Sequence, residues 1–187
     1  MGRVHDGIDE RLAAFLESQP VFFVATAPLD PDGLVNCSPK GNRGELKVID
    51  RTRVAYLDQT GSGVETVAHV RDNGRITLMF CVFSGPPRIV RLHGTAVALT
   101  TGSPEFGPAA ARFEGGAAVG VRSVIVTTVK RVSDSCGYGV PLMTFEAHRS
   151  AMGDWAERKG PEGIAAYWAE KNAKSLDGLP GLAHPHR

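Results

Sequence analysis

The alternation of apolar and polar positions divides the chain into short extended runs with isolated helices between them. Ile8, Leu12, Phe15 and Leu16 lie on one helical face near the N-terminus, and Pro20 ends that helix. Residues 21–27 form an aromatic and β-branched run, residues 28–33 are rich in turn formers, and residues 34–39 are extended again. That order predicts a hairpin with a long turn. Residues 48–49 and 54–57 predict two short strands. A helix follows over residues 63–72, with Val64, Val67, Ala68 and Arg71 at helical offsets and Asn73-Gly74 as a left-handed stop. Residues 75–83 and 88–99 predict two long antiparallel strands on either side of a Ser-Gly-Pro-Pro break. In the second, Ile89, Arg91, His93 and Thr95 face one side, with Val90 and Leu92 on the other. Residues 104–113 suit a short helix and residues 121–132 a last strand rich in Val, Ile and Thr.

Beyond that strand the pattern changes. Residues 133–141 read as a loop, and two helical stretches follow, divided at Lys159-Gly160-Pro161. The tail over residues 175–182 is turn-rich but apolar enough to dock on the body. Strands joined mostly without helices do not alternate as a parallel βαβ sheet does. The pattern therefore predicts a mainly β fold: a small six-stranded antiparallel barrel with peripheral helices. We read residues 1–187 as one domain, with its barrel core over 20–133 and the loop and helices of 134–187 packed against it.

Composition narrows the function more than the fold. An apolar fraction of 42% and a charged fraction of 22% belong to a soluble globular chain. A net charge of +1 lacks the basic excess of a nucleic-acid binder. No run approaches the ~20 apolar residues of a membrane helix, and the N-terminal residues have no apolar signal core, so a cytoplasmic protein is expected. Cys37, Cys81 and Cys136 show no Cys-x-x-Cys spacing, which argues against a disulfide framework or a structural zinc site.

Candidate chemistry gathers in two places. Thr60-Gly61-Ser62-Gly63 joins an apolar strand to a helix, so small hydroxyls and backbone N–H groups meet a helix N-terminus that favours an anion. Ser62 and Glu65 also have the spacing of a capping box, which would explain both without a ligand but does not require the flanking glycines. The stretch is neither a Walker loop nor a GxGxxG fingerprint. In the preceding hairpin, Asn36, Ser38 and Lys40 alternate onto one strand face, a poor core and a good polar ligand surface. Arg88 and Arg91 offer bidentate contacts to phosphate or carboxylate, or to a second subunit. Asp134, Cys136 and Tyr138 share a loop able to line a pocket, with no histidine beside the thiol. No GxSxG or paired carboxylates stand out, so the chemistry is assigned to a bound cofactor rather than to a side chain.

Four stretches, residues 22–27, 35–41, 55–65 and 74–80, together with the order of elements from about residue 20 to 132, resemble the pyridoxamine 5′-phosphate oxidase-like, FMN-binding split-barrel family. Ser38-Pro39-Lys40-Gly41, Thr60-Gly61-Ser62-Gly63 and the segments 132–141 and 175–182 are most similar to a bacterial subgroup of uncharacterised flavoproteins. The resemblance implies a six-stranded split barrel, a homodimer and FMN in clefts at the interface, in an oxidoreductase acting on an unidentified small molecule. It places Lys40 near the flavin or its ribityl phosphate, Thr60, Gly61 and Ser62 around the phosphate, Asn36 and Ser38 along the ring or chain, and Arg88 reaching the cleft from the partner strand. Related branches use the deazaflavin F420 or haem, and a non-catalytic carrier or sensor is the alternative role. The chain departs from the family's oxidases in having Val35 where they carry an arginine, Thr60-Gly61-Ser62 in place of a Ser-Arg-Lys cluster, and no C-terminal substrate-binding arginine. Vitamin B6 oxidation is therefore not the expected reaction.

Overall fold

The computed structural model describes residues 2–182. After a two-residue strand β1 (Val4–His5), Asp9 accepts from the Leu12 amide at 2.8 Å and starts helix α1 (Glu10–Ser18); this cap satisfies one of the free first-turn donors. Ile8, Leu12 and Leu16 are buried, as their spacing predicts. Strands β2 (Phe22–Thr26) and β3 (Asn36–Lys40) form the expected hairpin, with Thr26 opposite Asn36 and Phe22 opposite Lys40. Strands β4 (Leu46–Asp50) and β5 (Arg53–Gln59) form a second hairpin. Helix α2 (Glu65–Asn73) begins two residues later than its periodicity predicts and ends on Gly74 at φ 74°.

Strand β6 (Arg75–Cys81) pairs antiparallel with β7 (Ile89–Thr100), and a single turn of helix, α3 (Phe106–Ala110), leads into β8 (Val121–Ser135). Strand β8 runs three residues into the expected loop, because Ile89, Val90 and Arg91 find Ser135, Asp134 and Ser133 as partners. The last helix, α4 (Ala151–Lys171), is two helices meeting at Gly160, whose φ of 65° and ψ of 172° precede Pro161. The tail docks as predicted: Leu182 is buried, Arg71 donates to the Gly181 carbonyl, and Asp177 accepts from the Leu34 N–H.

The described residues carry eight strands in one antiparallel sheet, not six, in the order β3-β2-β6-β7-β8-β5-β4, with β1 added to β8. Seven of the eight are the extended runs read from the sequence, one more than a six-stranded barrel holds, and the eighth, β1, is too short to leave a periodic signature. The main core lies on the concave face, where Val24, Leu78, Leu92, Tyr56 and Ile125 are buried. A smaller cluster, Ala55, Leu57, Val124 and Phe113, lies between β5–β8 and the α3 region. No ladder joins β3 to β4, so the curled sheet stays open there. That opening is where the polar residues of β3 meet the end of β5.

Candidate functional site

Lys40, the last residue of β3, crosses the opening and donates from Nζ to Asp58 Oδ1 on β5 at 2.8 Å. Asp58 is fully buried and holds a second cation: Arg122 Nε donates to its Oδ2 at 2.7 Å, and Ser123 Oγ donates to the same oxygen at 3.1 Å. Neighbouring strand residues normally point to opposite faces. Arg122 and Ser123 both reach Asp58 because the β5–β8 register shifts here, Asp58 facing Ser123 while Gln59 faces Val121. The bulge re-aims Arg122 into the opening. Burial alone would raise the Asp58 carboxyl, but Lys40 and Arg122 outweigh it and hold the group well below the usual carboxylate range. One buried carboxylate with two cations leaves this spot with a net positive charge.

Arg122 also shapes the 61–63 loop. Its Nη1 donates to the Gly63 carbonyl at 2.7 Å and to Asn172 Oδ1 at 3.0 Å, and Asn172 Nδ2 donates to the Gly61 carbonyl at 3.0 Å. The loop's carbonyls are thus drawn inward, and the N–H groups of Gly61, Ser62 and Gly63 have no acceptor among the described residues. The capping box does not form: Val64 is the N-cap and no side chain bonds the first turn. Glu65 accepts from the Leu176 N–H at 3.3 Å, with its carboxylate lying against Gly63 at the cleft wall, and Ser62 is left exposed with a free hydroxyl. Free amides and a free hydroxyl beside a net positive pair are the donor set a phosphate requires.

These groups open into a cleft of about 600 Å³ lined by Ser38, Lys40, Gly61, Ser62, Gly63 and Arg122, with Lys171 and Lys174 at its margin. Glu45 lines it too, accepting from Asn42 Nδ2 at 2.9 Å and Gln59 Nε2 at 3.1 Å. Burial raises its carboxyl above the ordinary value despite those hydrogen bonds, and Glu65 lines the same cleft. A second cavity of about 730 Å³ meets the cleft at Lys40–Asn42 and is walled by Phe23, Phe83, Met143 and Phe145. Asn42, at this junction, holds φ at 135°, a backbone state that a non-glycine residue adopts at a cost of ~1–3 kcal/mol and that clusters at functional loops.

Of the residues singled out from the sequence, the structure brings Ser38, Lys40, Gly61 and Ser62 together in one cleft. Three others lie elsewhere. Asn36 sits beneath the cleft, donating to Thr26 and Thr66 and accepting from Ser38 Oγ. Thr60 is buried, and its hydroxyl donates to the Gly120 carbonyl at 2.6 Å and accepts from Trp168 Nε1 at 2.8 Å; it is a strut under the loop rather than a cradle. Arg88 does not line the cleft of its own chain: its guanidinium lies 5.0 Å over Phe15, with Nη2 donating to Asp134 at 3.0 Å. Asp134 is thereby tied to Arg88 and His5, and Cys136 and Tyr138 are exposed beyond it. Sequence reasoning missed Asp58, Arg122 and Asn172. The first two carried a signal, being lone opposite charges inside apolar strands, a placement that burial tolerates only when they are paired.

The chain matches the family model described as pyridoxamine 5′-phosphate oxidase over residues 8–136. It is 36% identical over 192 residues to the pyridoxamine 5′-phosphate oxidase family protein ustO of Aspergillus flavus, covering 95% of this chain and 77% of that one. Two crystal structures of tagged HupZ from Group A Streptococcus share its fold at 24% identity. One, a variant, has a TM-score of 0.54 and covers 68% of this chain and 99% of its own; the other has a TM-score of 0.52 and covers 67% and 91%. With most of the split-barrel segment inside the matched range, the chain belongs to the pyridoxamine 5′-phosphate oxidase family.

Proposed function

We propose that the protein is a flavin-dependent oxidoreductase that holds FMN in the 600 Å³ cleft and acts on a small molecule in the adjoining 730 Å³ cavity. The observation that carries the reading is the pair of cations, Lys40 and Arg122, on a single buried carboxylate beside the unpaired amides of Gly61–Gly63. Together with the Ser62 hydroxyl these groups would hold the phosphate. Ser38 and the β3 face would run along the ribityl chain toward the ring. When bound, the flavin supplies hydride or electron exchange with the substrate. The chain's own residues orient the ring and exclude water beneath residues 143–149. The open cavity beside the cleft favours an enzyme over a closed carrier, because it leaves room for a second molecule.

A homodimer belongs to the same proposal. The hairpin β2–β3 turns Cys37 and Pro39 outward, Val35 is 75% exposed, and Phe23 and Met79 are only partly covered, a face that a second copy would close. Light scattering on the purified protein should return twice the chain mass.

The deazaflavin reading has one observation of its own: Lys171 and Lys174, both exposed at the cleft margin, suit a longer anionic tail. The two readings separate on the visible spectrum of the purified protein, titration with FMN and F420, and anaerobic bleaching by NAD(P)H. A flavin spectrum or saturable FMN binding supports the proposal. A colourless protein that ignores FMN and binds F420 overturns it.

A further inference from the structure

On the other side of the 61–63 loop lies a third cavity, of about 620 Å³, between residues 41–42 and 60–61 on one wall and Arg149 with helix α4 on the other. Its charged lining is wholly cationic, Arg149 and Arg158, and neither guanidinium has an ion pair or hydrogen bond among the described residues. Both arginines are exposed. Trp155, one turn before Arg158 on α4, and Tyr167 also line the cavity, half-buried and edge to face at 5.0 Å with an interplanar angle of 79°, and Lys159 Nζ lies 5.4 and 5.6 Å from their ring centroids. Gly61 lines both this cavity and the flavin cleft. A Cβ on Gly61 would meet no atom within 4 Å, and its φ is not in the left-handed region. Neither packing nor backbone geometry requires glycine there, and a side chain would project into open space at the wall the two cavities share.

We infer that this third cavity binds the adenosine 5′-phosphate moiety of a dinucleotide, its ring against Trp155 and Tyr167 and its phosphate on Arg149 and Arg158. Lys159, outside the cavity lining, takes part of the aromatic surface; an aliphatic acid would leave the part that lines the cavity unused, and a neutral ring would leave two guanidinium groups unpaired. A planar base carrying a phosphate uses both, through stacking and bidentate charge-assisted hydrogen bonds. The volume lies within the ~300–1,000 Å³ range of small-molecule sites. The moiety has two sources: the far half of a flavin adenine dinucleotide whose flavin lies across Gly61, or a separate nicotinamide dinucleotide. The inference stands on this cavity's own side chains and does not need a flavin in the neighbouring cleft.

The probe is AMP itself, titrated calorimetrically into the purified chain, with adenosine and inorganic phosphate as controls. We expect saturable AMP binding, at least tenfold weaker binding of adenosine, and at least tenfold weaker AMP binding in the double variant Arg149→Gln/Arg158→Gln and in Trp155→Ala. Melting temperatures of these variants report that they remain folded. If FAD binds at least tenfold tighter than FMN and displaces AMP, the moiety belongs to the flavin cofactor. If FAD has no advantage and NADH competes with AMP on the FMN-loaded protein, it belongs to a separate dinucleotide. AMP binding without any FMN binding would overturn the flavin proposal and leave this one standing. Absence of AMP binding at millimolar concentration, equal binding of adenosine, or undiminished AMP binding in the folded double variant would overturn it.

Discussion

Replacing Asp58 by Asn separates what the buried ion cluster does for the fold from what it does for an anion. In the wild type, one fully buried carboxylate accepts from Lys40 at 2.8 Å and Arg122 at 2.7 Å. Removing its charge leaves a buried guanidinium and a half-buried ammonium uncompensated, a change that costs ~3–5 kcal/mol. For a chain of this length that is roughly 6–20 °C in melting temperature. The same substitution removes a buried anion close to an incoming phosphate. A phosphate oxygen held by Lys40 Nζ on the side away from Asp58 would lie about 5.6 Å from the carboxylate, from the 2.8 Å contact and a second of about the same length. At effective dielectric constants of ~20–80 that repulsion is ~0.7–3 kcal/mol, so FMN affinity should rise by about tenfold while stability falls. The pH dependence gives an independent check. The Asp58 carboxyl is held well below its ordinary value of 3.8, so its contribution is complete above pH 4 and is lost as pH falls further. The variant lacks that loss, and its acid limb should be shallower by up to ~1.4 kcal/mol per pH unit. The assays are urea denaturation across pH 2.5–7 (a range set by the ordinary carboxylate values) and FMN titration below the melting range. An unchanged melting temperature, or an FMN affinity that falls along with stability, would refute the reasoning.

Three further substitutions test the site piece by piece. Thr60→Val should lower stability by ~1–3 kcal/mol, because the Gly120 and Trp168 hydrogen bonds to its hydroxyl are buried, with FMN affinity held within twofold; a selective loss of affinity by titration would restore Thr60 to the cradle. Ser62→Ala should leave the melting temperature of the free protein unchanged within ~0.5 kcal/mol, since no side chain caps α2, while weakening FMN by about two- to tenfold; a drop in stability alone would mean that the capping box forms after all. Glu45→Gln should tighten FMN binding at pH 8 more than at pH 5. Burial raises the Glu45 carboxyl, so its repulsive charge develops only as pH rises, and equal effects at the two pH values would contradict that assignment.

Most of the fold was legible because local rules and tertiary packing agree along this chain. Apolar, β-branched runs placed β2 and β6, and period-two alternation placed β3 and β7, each within a residue or two, and the Gly160-Pro161 pair marked the break in α4. The failures share a cause: they depend on partners distant in sequence. Strand β1 exists only because Ser133 and Val132 are there to pair with it. Strand β8 outruns its own apolar pattern because β7 supplies partners through Ser135.

The site divides along the same line. The β3 face and the 60–63 turn are contiguous motifs, and their residue types alone point to an anion, which is why Ser38, Lys40, Gly61 and Ser62 meet in one cleft. A contiguous motif cannot say which of its hydroxyls is already engaged, so Thr60, equal to Ser62 as a hydroxyl donor, is consumed by Gly120 and Trp168. Nor can it show a charge arriving from another strand. The phosphate turn lacks cations only when read in isolation. The bulge at Asp58–Gln59 brings Arg122 onto a carboxylate 64 positions away in sequence, and Asn172 from α4's end fixes the loop's carbonyls. Both strands nevertheless carried the mark of this arrangement, a single acid in 54–58 and a single base in 121–126. In apolar strands such lone opposite charges predict each other, because neither can be buried alone. Applied to the amino-acid sequence by itself, that rule pairs Asp58 with Arg122 and supplies the turn with the charge its own residues omit.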